Sequence, residues 1–390
     1  MGQKWLLIVA FACQVAVTSS YAQTVSLFEL VKTATPQQIK TVIADGADVN
    51  ARDSRGWTAL MYAAGENLNP DAISALLVSG ADISAEDPDG WTPLMNAALD
   101  NPNPQIIATL LMAGASIDRQ DKLGETALAI AALHNPNPRV IAALLKGGAS
   151  ITIRNNDGGT PFMVAAAFNP NPEVISSLLK AGARTDDRDN SGATALILAA
   201  QYNQNPAVLS TLLATGAKID DRDDSNLTAL MVAAASSKNP AVVRLLMKSG
   251  ASIQTRGGKN GLTPLMMAAA RNHDSKMISL LLNAGSAVED RDSIRATALM
   301  YAAKFNETAD VVEALLRAGA KVNDQDRDGM TPLMLAAANN KNPEILKALL
   351  SAGADPKARD KNGKSAYEYA RANRELRGAE ALLQLQKGSQ

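Results

Sequence analysis

The sequence predicts an all-α protein, a solenoid of stacked helix-turn-helix repeats joined by β-hairpin-like finger loops. Three observations carry this expectation. A triplet of Thr, then Ala or Pro, then an apolar residue begins at Thr58, Thr92, Thr126, Thr160, Thr194, Thr228, Thr263, Thr297, Thr331 and, with Ser for Thr, at Ser365; the step is 34 residues except for 35 between Thr228 and Thr263. A Gly follows each Thr by 22 residues, from Gly80 to Gly353, and Gly46 precedes the first triplet. A paired-apolar run such as Leu110-Leu111 or Leu315-Leu316 stands before each Gly and supplies the buried side of a helix. Self-similarity at such a period marks an array whose units cannot bury their apolar sides alone.

Within one unit each marker has a physical reason. The Thr accepts a hydrogen bond from an orphan amide at the start of an inner helix, and Pro at the next position lacks an amide that would be orphaned there. The Ala pair, as at Ala97-Ala98 or Ala302-Ala303, lets neighbouring helices approach closely. A second helix starts at a recurring Asn-Pro step, from Asn69-Pro70 to Asn342-Pro343, again a cap followed by Pro. The Gly then takes the left-handed conformation that ends the helix.

On these residues the sequence resembles the ankyrin repeat family. Gly-x-Thr-Pro-Leu (Gly90 to Leu94), the Ala pair, Leu-Leu, and Gly46-Ala47-Asp48-Val49-Asn50 are that family's signature, and the resemblance runs from about residue 25 to about 386. Two departures stand out. Met61, Met95, Met163, Met231, Met266, Met300 and Met334 occupy the place of the family's usual His, so the hydrogen bonds of that His are expected to be replaced by flexible apolar filling. The family's usual step is one residue shorter, and the Asn-Pro turn is expected to hold the extra residue.

Taken in order, residues 1–22 read as a signal peptide: Lys4, an apolar run from Trp5 to Val17, then Ser20-Tyr21-Ala22, with cleavage expected after Ala22. Residues 23–386 read as one solenoid. It has an N-terminal capping helix pair at 25–50, nine full repeats at 51–357 and a C-terminal cap at 358–386, and a tail occupies 387–390. The longer loop Arg256-Gly257-Gly258-Lys259-Asn260-Gly261 and two turns lacking Asn-Pro, at Asn272 and Asn306, predict a soft region over 255–310.

Composition narrows function mostly by exclusion. Cys13 is the only Cys, so a processed chain has neither disulfide nor thiol nucleophile. With 38 Lys and Arg against 39 Asp and Glu, nothing favours nucleic acid or an anionic membrane. The two His, His134 and His273, lie four repeats apart, no nucleophile elbow or phosphate loop occurs, and an enzyme is not expected. No cofactor is expected. Asp53, Asp87, Asp121, Asp189, Asp223, Asp292, Asp326 and Asp360 recur five residues before the triplet, often after an Arg. They are expected to pin the loop by bonding nearby amides, with the Arg offsetting their charge, rather than to bind calcium.

Positions that hold up the scaffold recur, whereas those free to meet a partner vary. Two rows vary: the residue before each triplet, including Trp57 and Trp91, and the residue eight after each Thr, including His134, Phe168, Tyr202, Arg271 and Phe305. The resemblance places such residues on finger loops and inner-helix ends that line a concave face. Aromatics are only 4% of the chain, so their recurrence at variable positions marks Trp57, Trp91, Phe168, Tyr202 and Phe305 as expected interface anchors, with Trp57 and Trp91 facing each other one repeat apart; the alternative is that some of them pack against the neighbouring finger and stiffen the stack. The expected protein is a monomeric, non-enzymatic scaffold of the periplasm or extracellular space that binds a protein or extended peptide. Nucleic-acid binding and stable membrane insertion are not expected. The alternative is a structural or protective envelope protein without a specific pocket.

Overall fold

The structure, a computed structural model, describes residues 26–376 and 380–389. The expected signal peptide and its cleavage point after Ala22 lie outside the described residues. No described helix is long and apolar enough to cross a membrane.

The chain divides into two compact units that meet at Asn156 and Asp157 in sequence. The first holds α1 (Leu27–Leu30), α2 (Pro36–Ala44), α3 (Ala59–Glu66), α4 (Pro70–Val78), α5 (Pro93–Asp100), α6 (Pro104–Met112), α7 (Ala127–His134) and α8 (Pro138–Lys146). The second continues with α9 (Pro161–Phe168), α10 (Pro172–Lys180), α11 (Ala195–Tyr202), α12 (Pro206–Ala214), α13 (Ala229–Ser236), α14 (Pro240–Lys248), α15 (Pro264–Arg271) and α16 (Ser275–Asn283). It ends with α17 (Ala298–Phe305), α18 (Ala309–Arg317), α19 (Pro332–Asn339), α20 (Pro343–Ser351), α21 (Ala366–Ala372) and α22 (Glu380–Ser389). The last helix therefore runs into the expected tail instead of stopping at 386. Among the described residues there is no strand; isolated antiparallel bridges such as Arg52 with Thr58 give the finger loops their hairpin character.

From α3 onward each odd-numbered helix is an inner helix and each even-numbered one its outer partner. Inner helices are apolar almost all round and correspondingly buried: α5 buries every residue from Pro93 to Ala98. Outer helices bury one stripe, as Ile106, Ile107 and Leu110 in α6. Each such side chain contributes about 1.5–3 kcal/mol.

Capping follows the sequence closely, with two lapses. Thr58, Thr92, Thr126, Thr160, Thr263, Thr297 and Thr331 accept from the amide three residues on, as does Ser365, but Thr194 and Thr228 make no side-chain cap. Each Asn of the Asn-Pro steps accepts from the amide two residues later, as Asn103 does from Gln105. The helix-stop glycines, Gly46 to Gly353, all have positive φ near the left-handed region.

Two expectations need correcting. The methionines in place of the family's His are not mere filling: the Sδ of Met61, Met95 and Met266 accepts from the amide of Thr58, Thr92 and Thr263 at 3.4–3.5 Å. The Arg beside the loop Asp does more than offset charge. Arg52 Nη1 donates to the carbonyls of Gly56 and Glu86, and Arg188, Arg222, Arg256 and Arg291 repeat the pattern, each stitching its loop to the next. Within 255–310, Asp274 replaces Asn as a cap whereas Thr308 makes no side-chain cap, and Gly257 and Leu262 close the longer loop with bonds of 3.0 and 2.7 Å. A Cβ on Gly257 would lie 2.2 Å from the Asn226 carbonyl oxygen, so only glycine fits.

A second ladder holds the other edge. Asn306 is fully buried, and its Nδ2 donates to the carbonyls of Ala269 and Asn272 at 2.9 and 2.8 Å. Asn67, Asn101, Asn135, Asn203, Asn272 and Asn340 make equivalent pairs of bonds to the preceding repeat. Removing a rung strands two buried carbonyls. Asn306→Ala should therefore cost about 2–4 kcal/mol in denaturant unfolding, against about 1 kcal/mol for the cap variant Asn342→Ala. Equal losses would argue against the ladder. Gly257→Ala should destabilise by at least about 1 kcal/mol, and an unchanged melting temperature would show that the loop relaxes freely.

Candidate functional site

The two variable rows separate in the structure. The residue eight after each Thr is the last of its inner helix, and every one is exposed: Glu66, Asp100 and His134 in the first unit; Phe168, Tyr202, Ser236, Arg271, Phe305 and Asn339 in the second. The cause is the residue that follows. In most repeats it is the ladder Asn, whose backbone leaves the helix in an extended conformation, as at Asn306, while its side chain turns inward. Its predecessor is left facing outward.

The residue before each triplet behaves differently. Its amide is fixed by the loop carboxylate, as Trp57 and Trp91 donate to Asp53 Oδ1 and Asp87 Oδ1 at 2.9 Å. Its side chain lies over the finger. Gly159, Ala193 and Ala296 are buried, Trp57, Trp91, Glu125, Leu227, Leu262 and Met330 are half-buried, and Lys364 alone of this row is exposed. Leu227 and Leu262 pack on the buried Met231, Ala235 and Met267.

Trp57 corrects the expectation that it faces Trp91. Its ring lies 5.1 Å from that of Tyr62, the Arg55 guanidinium sits over it at 4.9 Å, and its Nε1 donates to Asp87 Oδ2 of the next loop at 2.9 Å. Tyr62 in turn donates to Asp53 Oδ2 at 2.7 Å. The hydrogen bonds from Tyr62 and from the amides of Trp57 and Arg55 outweigh burial and hold the Asp53 carboxyl below its usual range. The Asp53 and Asp87 carboxylates thus accept from their own loops and, for Asp87, from the loop before; among the described residues no cluster of three His, Cys, Asp or Glu is placed to hold a metal ion.

In the second unit the exposed aromatics pair up. Phe168 and Tyr202 are 53% and 48% exposed, with ring centroids 5.2 Å apart and planes at 30°. Phe305, 51% exposed, stacks on Tyr301 at 6.2 Å with the Lys304 ammonium 4.9 Å from its ring. His134 and Arg271 are exposed. A concavity of about 610 Å³ opens beside Phe168 and Tyr202 and reaches Gln204 and Asn239. A larger one, about 690 Å³, lies away from this row among Lys180, Arg184, Lys218, Asp186 and Asp221. There Arg184 is already bound by Asp186 at 3.0 Å. Sequence reasoning overlooked Gln204 and the ladder Asn, although Asn recurring nine residues after Thr at 67, 101, 135, 169, 203, 272, 306 and 340 was a readable signal.

A family model described as ankyrin repeats matches residues 27–121, 95–189, 162–257, 230–326 and 299–390. Among solved structures the chain is similar to the crystal structure of the human ASB11 ankyrin repeat domain, at 25% identity and a TM-score of 0.50, over 58% of this chain and 98% of that one. No curated protein matches the chain.

Tyr301, under Phe305, supplies a titration test. Burial first, then its hydrogen bond to Asp292 Oδ2 at 2.7 Å, pushes the phenol up to about 12. The folded value exceeds the unfolded one near 10, so this contribution to stability is whole below about pH 10 and is lost as pH rises through about 12. The difference in phenolate absorbance between the wild type and Tyr301→Phe should trace a group ionising near 12; a difference curve centred near 10 would refute the buried hydrogen bond.

Proposed function

The chain belongs to the ankyrin repeat family, and from that premise we propose that it is a non-enzymatic scaffold that binds a protein or extended peptide on the concave face of its repeats. Ankyrin repeats generally mediate protein-protein interaction. The observation that supports the reading here is the exposed row at the inner-helix ends, which carries Phe168, Tyr202, Arg271 and Phe305 in the second unit and His134 in the first. Large aromatics and Arg held on a rigid surface are the usual anchors of an interface, since little conformational entropy is lost when they are covered. Trp57 and Trp91 belong to this proposal as supports: the bond from Trp57 to Asp87 holds one finger against the next.

The proposal extends to location and state. The apolar run and Ser20-Tyr21-Ala22 support export with cleavage after Ala22, the product acting as a monomer in the periplasm or outside the cell. N-terminal sequencing of protein recovered from its host should begin at Gln23; recovery of the uncut chain would refute export by this route.

Binding and packing roles are separable. Phe305→Ala with Arg271→Ala should weaken retention of the host partner roughly tenfold or more, with the melting temperature within about 2 °C of wild type. Trp57→Ala should do the reverse, lowering stability by about 1–3 kcal/mol. If the Phe305 and Arg271 changes destabilise the fold and leave partner retention intact, the row is packing and the scaffold reading fails.

A further inference from the structure

We propose that Asn260-Gly261, in the longer finger loop, is a site of spontaneous deamidation that loosens this finger from the next repeat. Only two Asn in the chain are followed by Gly, Asn260 and Asn362. Glycine matters because the reaction needs a backbone N–H with no side chain beside it: the recurring Asn-Pro steps have no N–H, and larger residues crowd the attack. The Gly261 nitrogen gives its proton to solvent hydroxide and attacks Asn260 Cγ. A C–N bond forms, and the Cγ–Nδ2 bond breaks as the side-chain nitrogen takes a proton from water and leaves as ammonia. Water then opens the cyclic imide at either carbonyl, giving Asp or, with an added methylene in the main chain, isoaspartate.

The structure separates the two Asn-Gly steps. Deprotonation spreads negative charge over the peptide nitrogen and the carbonyl oxygen before it. At Asn260 that oxygen already accepts from the Ser293 amide of the next finger at 2.9 Å, a bond that strengthens as the charge develops. The Gly261 amide is held only by the Gly258 carbonyl at 3.3 Å, and Gly257-Gly258 stand where other loops carry their Asp, so no carboxylate of its own loop opposes the charge. At Asn362 the Gly363 amide is held by the Asp360 carbonyl at 2.9 Å, Asn362 Nδ2 touches Asp360 Oδ2 at 3.3 Å, and no described residue donates to the Asn362 carbonyl. The consequence lies in the Asn260 side chain, which hydrogen-bonds the Tyr301 phenol. Tyr301 gives its own proton to Asp292 Oδ2 at 2.7 Å, so it accepts from Asn260 Nδ2. The other Asp292 oxygen is occupied by the amides of Ile294 and Ala296. A carboxylate at 260 has no proton to offer and faces Asp292 across one phenol, and the isoaspartate backbone carries the 260 carbonyl off Ser293.

The test is incubation of the full chain in mildly alkaline buffer, folded and in urea, followed by peptide mapping by mass spectrometry with an isoaspartate assay. In the folded chain Asn260 should convert about fivefold or more faster than Asn362. Urea should abolish that preference, because both become plain Asn-Gly peptides. Hydrogen exchange at the Ser293 amide should be about fivefold or more faster in the aged, converted chain than in the fresh one. Asn260→Gln, whose extra methylene disfavours ring closure, should remove both the conversion and the change in exchange. An Asn260 peptide that stays unconverted, conversion at Asn362 first, a preference that survives in urea, or a Ser293 amide that exchanges alike in converted and fresh chains would each overturn the proposal.

Discussion

The interaction on which the rest of the structure depends is the buried asparagine amide that reaches back to the repeat before it. A helix leaves its last carbonyls without partners inside the helix, and an inner helix buried on nearly all sides has no water to offer them. Asn101 Nδ2 meets this need for the first unit's α3 by donating to the carbonyls of Ala64 and Asn67, both at 2.9 Å. Each repeat therefore completes the helix of its predecessor, so stability in such an array is a sum of units and of nearest-neighbour terms. Where Ser237 replaces the Asn, the hydroxyl turns instead to Gln204 Oε1 and the Asn239 carbonyl, and the rung toward α11 is absent among the described residues. The uncapped Thr194 and Thr228 fall in the same stretch.

Asparagine at one edge and Arg with Asp at the other divide the labour of holding repeats in register. The loop Asp fixes its own finger through two amides, as Asp326 Oδ1 accepts from Asp328 and Met330. The Arg then ties that finger to the following one through backbone carbonyls, a use that suits its planar fork of donors. With both edges fixed in most repeats by these residues, the side chain just ahead of the ladder Asn is the exposed end of the inner helices from α3 to α19, and it differs from copy to copy.

Much of this was legible in the sequence because the period forces identical solutions. Helix starts at Thr and at Asn-Pro, stops at Gly and loops pinned by Asp each follow from a local rule that acts within five residues. What was not legible acts across 34 residues or more. Nothing local distinguishes the structural Asn101 from the capping Asn103 two residues on, or shows that Arg52 will find the Glu86 carbonyl. The thioether of Met61 as an acceptor for the Thr58 amide was also hidden, because sulfur is a weak acceptor that sequence rules treat as apolar.

Variation between copies was the argument for finding the candidate site, and the structure shows why variation alone is insufficient. The residue before the triplet varies from Ala193 to Trp91 although the loop Asp pins its amide in most repeats, Leu262 bonding the Gly257 carbonyl instead. Fingers are separated by space that each repeat fills in its own fashion: Trp57 bridges to Asp87, Leu227 and Leu262 cover Met231, and Ala296 packs with Met300. Such positions vary because packing problems differ from one repeat to the next. At the inner-helix ends no packing problem exists, since the side chains from Glu66 to Asn339 are exposed whatever their identity. An aromatic kept there costs solubility, and under the scaffold reading proposed above Phe168, Tyr202 and Phe305 are the surfaces a partner would cover.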